Sequence, residues 1–532
     1  MNSKSGRLPA PVVTAICCLI FLACGIHFAL VQNIWIDEST QLSGATLGLG
    51  RLMTWLTGTR EVSFGVPPDR MPPISYLLDA ACYRTVCAAP VAWRFLHLLF
   101  AVTGVGVATW TVARRWGMGA GLVTGLLLAL SPKLTELGVE IRAYPIFFAI
   151  TCVQIAMLLR MVEGERLKPG QLGLFLLLGL ASAYTHFFGL VSSMALFTGL
   201  FATRATTIRE AVSIAAAAVL LVLLCLGLAP FIMTASAISG DAVQTDASGH
   251  GLVLYVLRLV AHPANVVSPI GAVLFFLPLV GLIAVAGVRV VQGFATAGFG
   301  YRREPIVALA VALVSGVAVT LLAAFVAKGF NPLKPTYSLW VLPVLAVLLG
   351  AVCARGAGRW GRIAQGLAFL MLLGAAVGQM LLMRHPGWFV HGPSSAIHAA
   401  VGADPSDTAV IYEGDWGYGF FPTYYYYHQA LDQWRIAPDG QLQKIGLGGD
   451  PAPADPAQLA TKRRIILVRI TLRDYHDLRA LRAKGPEKIG GNGAAVSLPA
   501  GQPAFDHLAE AARAREPGLY WADIITYERT MR

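Results

Sequence analysis

Apolar runs of about 17 to 25 residues recur along this chain, and that is the length an α-helix needs to cross the hydrocarbon core of a bilayer. Inside lipid no water satisfies backbone N–H and C=O groups, so such runs have to fold as helices whose hydrogen bonds close within the segment. Of 532 residues, 56% are hydrophobic and only 13% charged, too apolar for a soluble core of this size. Eleven helices are predicted, near 11–31, 93–113, 117–132, 143–162, 171–185, 186–203, 211–236, 269–288, 305–327, 337–354 and 362–382. The expected fold class is a polytopic α-helical membrane protein.

Orientation follows from Lys and Arg, which stay in short cytoplasmic loops. With the N-terminus inside, the inner loops hold fifteen basic residues, from Lys4 and Arg7 through Arg114, Arg115, Arg166 and Arg209 to Arg362, against four acids, Glu163, Glu165, Glu210 and Glu304. The outer side up to residue 383 carries ten basic and nine acidic residues, and residues 384–532 carry sixteen of each. These three parts account for the whole net charge of +12. Basicity here reports topology, and nothing is left over for a nucleic-acid partner.

Lys4 and Arg7 before an apolar stretch also fit the start of a signal peptide, but the stretch is long for one and lacks a clear small-x-small cleavage site, so a retained first helix is expected. Six cysteines, Cys17, Cys18, Cys24, Cys152, Cys225 and Cys353, fall in or beside apolar helices and read as packing residues. A helical spacing of five puts Cys82 and Cys87 on different faces, which argues against a disulfide. No Cys and His spacing suits a metal.

Three outer stretches, 32–92, 133–142 and 237–268, are too long for plain turns. Within the first, the run from Met71 to Pro90 carries Asp79 and Arg84 and would invert every later loop if it spanned; an amphipathic helix along the outer surface is expected instead. After Leu382 the composition becomes mixed. Thr408–Tyr412 and Arg464–Val468 read as buried strands, and 394–402, 472–484 and 503–514 as helices, giving a small α/β domain. The stretch 436–460, rich in Gly, Pro, Ala and Asp, reads as a loop. The domains are thus 1–383, transmembrane, and 384–532, soluble.

Residues able to carry chemistry gather on the predicted outer side. Asp37 and Glu38 stand just beyond the first span, where a carboxylate facing lipid is costly and a water-filled pocket is its expected place. A solvated pair capping the next helix is the plain alternative. Extended or coil backbone there would send the two side chains in different directions. Glu140 and Arg142 precede Tyr144 at the next boundary; they form a weak local ion pair or a phosphate site, since the guanidinium fork matches phosphate oxygens. His186 occupies the turn Tyr184-Thr185-His186-Phe187-Phe188-Gly189. Lys334 and Tyr337 belong to a later outer loop, and Arg70, Arg258 and His262 are further candidates for contacting a phosphate or a glycan. Trp416, Tyr418 and Tyr424 to Tyr427 form an aromatic cluster that reads as domain core or as a sugar platform.

The order of these motifs resembles a known family. Trp35-Ile36-Asp37-Glu38 after the first helix, Met71-Pro72-Pro73-Ile74-Ser75-Tyr76-Leu77-Leu78, Arg94 opening the second helix, Glu140-x-Arg142-Ala143-Tyr144 and Thr185-His186-Phe187-Phe188-Gly189 together look like the GT-C glycosyltransferases. Within these they are most similar to the bacterial branch related to protein O-mannosyltransferases and lipid A aminoarabinose transferases. The likeness covers roughly residues 10–385. Many relatives carry His where this chain has Met71, and Arg-Tyr where it has Lys334-Pro335-Thr336-Tyr337.

What the resemblance implies is an inverting transferase, moving a hexose or pentose from a polyprenyl-phosphate donor to a glycan, lipid or protein acceptor. By position Asp37 is its general base, with Glu38 in support. Glu140, Arg142, Tyr144, His186 and Lys334 would bind the donor phosphate and sugar, and Arg70, Arg258 and His262 the acceptor. No cofactor is required, although some GT-C enzymes use a divalent cation and Asp37, Glu38 and Glu140 are the acids able to contribute to one. Expected partners are the donor, the acceptor and membrane lipid. The expected location is the bacterial inner membrane, with the N-terminus cytoplasmic and the C-terminal α/β domain periplasmic. The competing reading is a lipid-linked oligosaccharide flippase or other transporter, which would place charge near the bilayer midplane, where these spans have almost none.

Overall fold

The computed structural model describes residues 9–58, 71–86, 90–239, 249–261, 269–297, 304–326, 333–354, 359–384, 392–414, 431–437, 439–445, 452–453, 455, 457–472, 505–516 and 520–530. The chain divides into two compact units: residues 1–29 with 70–384, and residues 30–69 with 385–532. The helices in chain order are α1 (Ala10–Val31), α2 (Ile36–Thr46), α3 (Leu49–Thr57), α4 (Pro73–Thr85), α5 (Pro90–Trp116), α6 (Met118–Ala129), α7 (Pro132–Val139), α8 (Tyr144–Glu163), α9 (Pro169–Thr185) and α10 (Phe188–Arg204). They continue as α11 (Ile208–Cys225), α12 (Ala229–Ser239), α13 (Gly249–Ala261), α14 (Pro269–Ala297), α15 (Pro305–Val326), α16 (Val341–Ala354), α17 (Arg359–Arg384) and α18 (Ser394–Val401).

Each of the eleven expected spans overlaps helices of this series, with 211–236 falling on both α11 and α12. Among the described residues seven helical spans are long and apolar enough to cross a membrane, which makes this a multi-pass membrane protein. The α6–α7 pair qualifies as an eighth only as a span bent by 61°. The bend sits at Leu130-Ser131-Pro132, where the Ser131 hydroxyl accepts from the Leu134 N–H (3.2 Å) and Pro132 opens the new helix. The stretch 133–142, expected to be an outer loop, is therefore mostly a short helix, and that helix is buried. Polar side chains tie the bundle together: Thr124 of α6 donates to the Ala346 carbonyl of α16 (3.1 Å), and Gln154 of α8 to Ser193 of α10 (3.1 Å).

Helix α4, at 13 residues, is too short to span. Its buried face carries Ser75, Tyr76 and Asp79 as well as Ala80. Asp79 Oδ1 pairs with His97 Nε2 of α5 at 2.9 Å, both side chains fully enclosed. The expectation of reduced outer cysteines is overturned, because Cys82 is disulfide-bonded, with its partner outside the described residues. Helical spacing does not reach beyond Thr85, where α4 stops with Val86 as its cap.

In the second unit a seven-stranded mixed sheet runs in the order β4-β3-β2-β1-β5-β7-β6. The strands are β1 (Thr408–Gly414), β2 (Asp432–Ile436), β3 (Leu442–Lys444), β4 (Ala452–Pro453), β5 (Arg464–Leu472), β6 (Leu508–Glu516) and β7 (Tyr520–Arg529). Central β1 lies parallel to both β2 and β5, and the other pairs are antiparallel. Both sheet faces are apolar, with Val410, Tyr412, Ile466 and Val468 packed with α18 on one, and Ile411, Trp434, Ile465 and Leu467 on the other. Residues 503–514 were expected to be helical, but 508–516 form edge strand β6. Pairing with β7 overrides the helix preference of an Ala- and Arg-rich segment, with a register shift between Glu510 and Ala512. Parts of the expected loop 436–460 are strands β3 and β4, and the expected helix 472–484 lies almost wholly outside the described residues.

Candidate active site

Glu140 is the C-cap of α7, and the chain turns there through Ile141 and Arg142 into α8, with the Arg142 N–H donating to the Glu140 carbonyl (2.8 Å). Glu140 is 3% and Arg142 4% exposed, so this is an enclosed constellation and not a wet ion pair. The turn is held from behind: Arg94 of α5, itself buried, donates from Nη1 to the carbonyl of Val139, the last residue of α7 (3.2 Å).

His186 comes from a different part of the sequence to the same place. It lies in the turn between α9 and α10, outside both helices, and its ring stacks on Phe147 with centroids 5.0 Å apart and planes 6° from parallel. Tyr144, Tyr337 and Phe188 stand 5.3, 5.8 and 6.1 Å away. Burial, and after it the nearby Arg142 cation, pushes the imidazole down to about 3. The ring is therefore neutral at physiological pH. The Phe188 N–H donates to Nδ1 (3.2 Å), which leaves the proton of the neutral ring on Nε2. Nε2 is buried with no hydrogen-bond partner among the described residues, an arrangement that costs free energy until a ligand oxygen accepts from it.

The turn is specified by Gly189. A Cβ there would come within 2.1 Å of the Ser182 carbonyl oxygen, backbone that cannot swing away. Gly189→Ala should therefore destabilise the protein by about 1–3 kcal/mol and displace His186. Thermal unfolding in detergent checks this, and an unchanged melting temperature would mean that the turn tolerates the shift.

Lys334 is exposed, with its ammonium 5.2 Å from the Tyr337 ring centroid. Ser338, next to Tyr337, shares a 2.6 Å hydrogen bond with Tyr255 of α13. Of the expected acceptor residues, Arg258 lies on α13 with its side chain outside the described set, and Arg70 and His262 lie outside it altogether. The aromatic cluster of Trp416, Tyr418 and Tyr424 to Tyr427 does too. Phe147 and Tyr255 escaped sequence reading because nothing distinguishes them from lipid-facing aromatics. The Asp79–His97 pair did leave a signal: Arg94 and His97 are two ionisable residues three apart in the apolar first half of α5.

Asp37 and Glu38 belong to the second unit. They occupy the first turn of α2, not coil, where carboxylates favour the positive end of the helix dipole. This turn separates their tasks. Fully buried Glu38 turns back to accept from the Trp35 N–H (3.4 Å), satisfying an amide that the helix leaves open, while Asp37 is half-buried. The segment before the helix is pinned by Asn33, whose Nδ2 donates to the Gly392 carbonyl (2.8 Å). Among the described residues no three His, Cys, Asp or Glu side chains gather to hold a metal ion.

No protein-family model and no curated protein sequence matches the chain. Among solved structures it is similar to ArnT from Cupriavidus metallidurans bound to undecaprenyl phosphate. That alignment covers 97% of each chain, with a TM-score of 0.52 and 12% identity. The apo form of that protein aligns with the same values. The Archaeoglobus fulgidus oligosaccharyltransferase AglB, in complex with an inhibitory peptide and a dolichol-phosphate, aligns over 86% of this chain and 69% of that one, at 13% identity and a TM-score of 0.46. Helical membrane unit and C-terminal mixed sheet alike, this chain is similar in fold to that ArnT structure.

Proposed function

We propose that this protein is a membrane glycosyltransferase that moves one hexose or pentose from polyprenyl phosphate to a hydroxyl of a glycan, lipid or protein acceptor. The observation that carries the reading is Arg142, a buried guanidinium placed beside a neutral imidazole whose Nε2–H has no partner among the described residues. Such a pair suits a phosphate group and its first sugar, with the guanidinium taking the charge and the imidazole supplying a directional donor. The similar ArnT structure is bound to undecaprenyl phosphate, which supports a polyprenyl carrier here as well.

In the reaction, Asp37 takes the proton of the acceptor hydroxyl as its oxygen bonds to the anomeric carbon. The bond from that carbon to the phosphate oxygen breaks, and polyprenyl phosphate leaves. Displacement in one step inverts the anomeric centre. Arg142 stabilises the charge that develops on the departing phosphate, and Glu140 orients Arg142 or contacts the sugar. Lys334 with Tyr337 would guard the donor side, and Arg70, Arg258 and His262 the acceptor. Chemistry of this kind belongs on the outer face of the bacterial inner membrane, which sets the N-terminus in the cytoplasm and the second unit's sheet in the periplasm.

A panel of labelled polyprenyl-phosphate sugars offered to membranes containing the protein tests the reading. At least one donor should pass its label covalently to an acceptor with release of polyprenyl phosphate. Label that crosses sealed vesicles while still attached to its lipid, with no transfer from any donor, would make the protein a transporter.

A further inference from the structure

A further candidate site opens at the start of α9, one helix length from His186 at its end. Between α9 and α11 runs a groove of about 700 Å³, within the range of small-ligand sites. Its walls are apolar, with Leu172 and Leu176 of α9 and Leu220 of α11 along them. Its mouth is polar and holds two exposed arginines, Arg166 before α9 and Arg209 in the first turn of α11. Neither has an ion-pair partner among the described residues. Two carboxylates share the mouth. Glu210 is already engaged, by Arg204 at 2.8 Å and the Thr206 hydroxyl at 2.9 Å, which leaves two arginines facing Glu165 alone.

We propose that this groove binds one anionic phospholipid, with its phosphate diester between Arg166 and Arg209 and an acyl chain along the leucines. Three observations converge on it. An apolar trough between helices of a membrane unit matches a hydrocarbon chain. The charge at the mouth is complementary to a phosphate, and basic side chains at a membrane surface attract anionic headgroups. Arg209 also stands at the positive end of the α11 dipole, a position unfavourable for a cation that an external anion relieves. The open space extends to Gly173 on the groove wall, where an added Cβ would meet no atom within 4 Å.

Native mass spectrometry of the full-length protein in mild detergent tests the site, titrated separately with phosphatidylglycerol, phosphatidylcholine and polyprenyl phosphate. Wild type should retain one phosphatidylglycerol roughly tenfold more tightly than phosphatidylcholine, and the double substitution Arg166→Gln with Arg209→Gln should erase that difference. Gly173→Leu, which fills the trough and keeps both arginines, should lower retention of either phospholipid. The arginine variant alters exposed side chains only, so its result stands even if Gly173→Leu fails to fold. Equal retention of the two phospholipids by wild type, or phosphatidylglycerol binding unchanged in the arginine variant, would overturn the site and leave the arginines with topology alone. So would preferential retention of polyprenyl phosphate that the arginine variant abolishes, which would assign the groove to the carrier lipid.

Discussion

Asp37→Asn is expected to slow sugar transfer by roughly 10²–10⁴-fold, the usual contribution of a positioned general base, with little change in donor affinity. The amide matches the carboxylate in size but cannot take up the acceptor's proton. It also leaves α2 one negative charge short in its first turn, a cost of about 0.3–1 kcal/mol, too small to unfold the unit. Glu38→Gln provides the contrast, because an amide oxygen can still accept from the Trp35 N–H as Glu38 does now. Its effect on transfer should be far smaller. Rates measured with a saturating donor at equal expression separate the two; wild-type turnover in Asp37→Asn would remove the proposed base.

Arg142→Ala should cost about 10²–10³-fold in turnover, in line with losing one group that stabilises charge in the transition state. Arg142→Lys should recover little of it, since a point charge does not reproduce the two-pronged contact of a guanidinium with phosphate. Burial is the larger cause of the low His186 proton affinity, with Arg142 second, so the imidazole stays neutral in both variants. The pH profile between 5 and 8 should then keep its shape while its height falls. A new titration in that window would mean that Arg142 governs the state of His186 instead of the charge of the leaving group. Melting temperatures of the two variants separate loss of chemistry from loss of fold.

Much of the membrane unit was legible because the bilayer leaves few options. A long apolar run has to be a helix, so all eleven expected spans overlap helices. The C-terminal segment was harder. Strands β1 and β5 stood out as apolar runs buried on both faces, but β6 and β7 depend on each other for their hydrogen bonds, and local composition spoke for a helix at 503–514. The disulfide at Cys82 was missed; helical spacing does not reach beyond Thr85, where α4 stops.

The sequence by itself determined which polar residues stand at the ends of apolar spans, because charge is expelled from hydrocarbon wherever nothing pairs with it. That singled out Asp37, Glu38, Glu140, Arg142 and His186. Only the tertiary structure decided what each is free to do. Glu140 and Arg142 are buried past the bend at Pro132, the Phe188 N–H fixes the His186 tautomer while stacking on Phe147 sets the ring plane, and the first turn of α2 commits Glu38 to a helix cap. Spacing along a chain records which groups exist. Burial and hydrogen bonding, which set their charge and their freedom, arise from contacts between segments that no local pattern encodes.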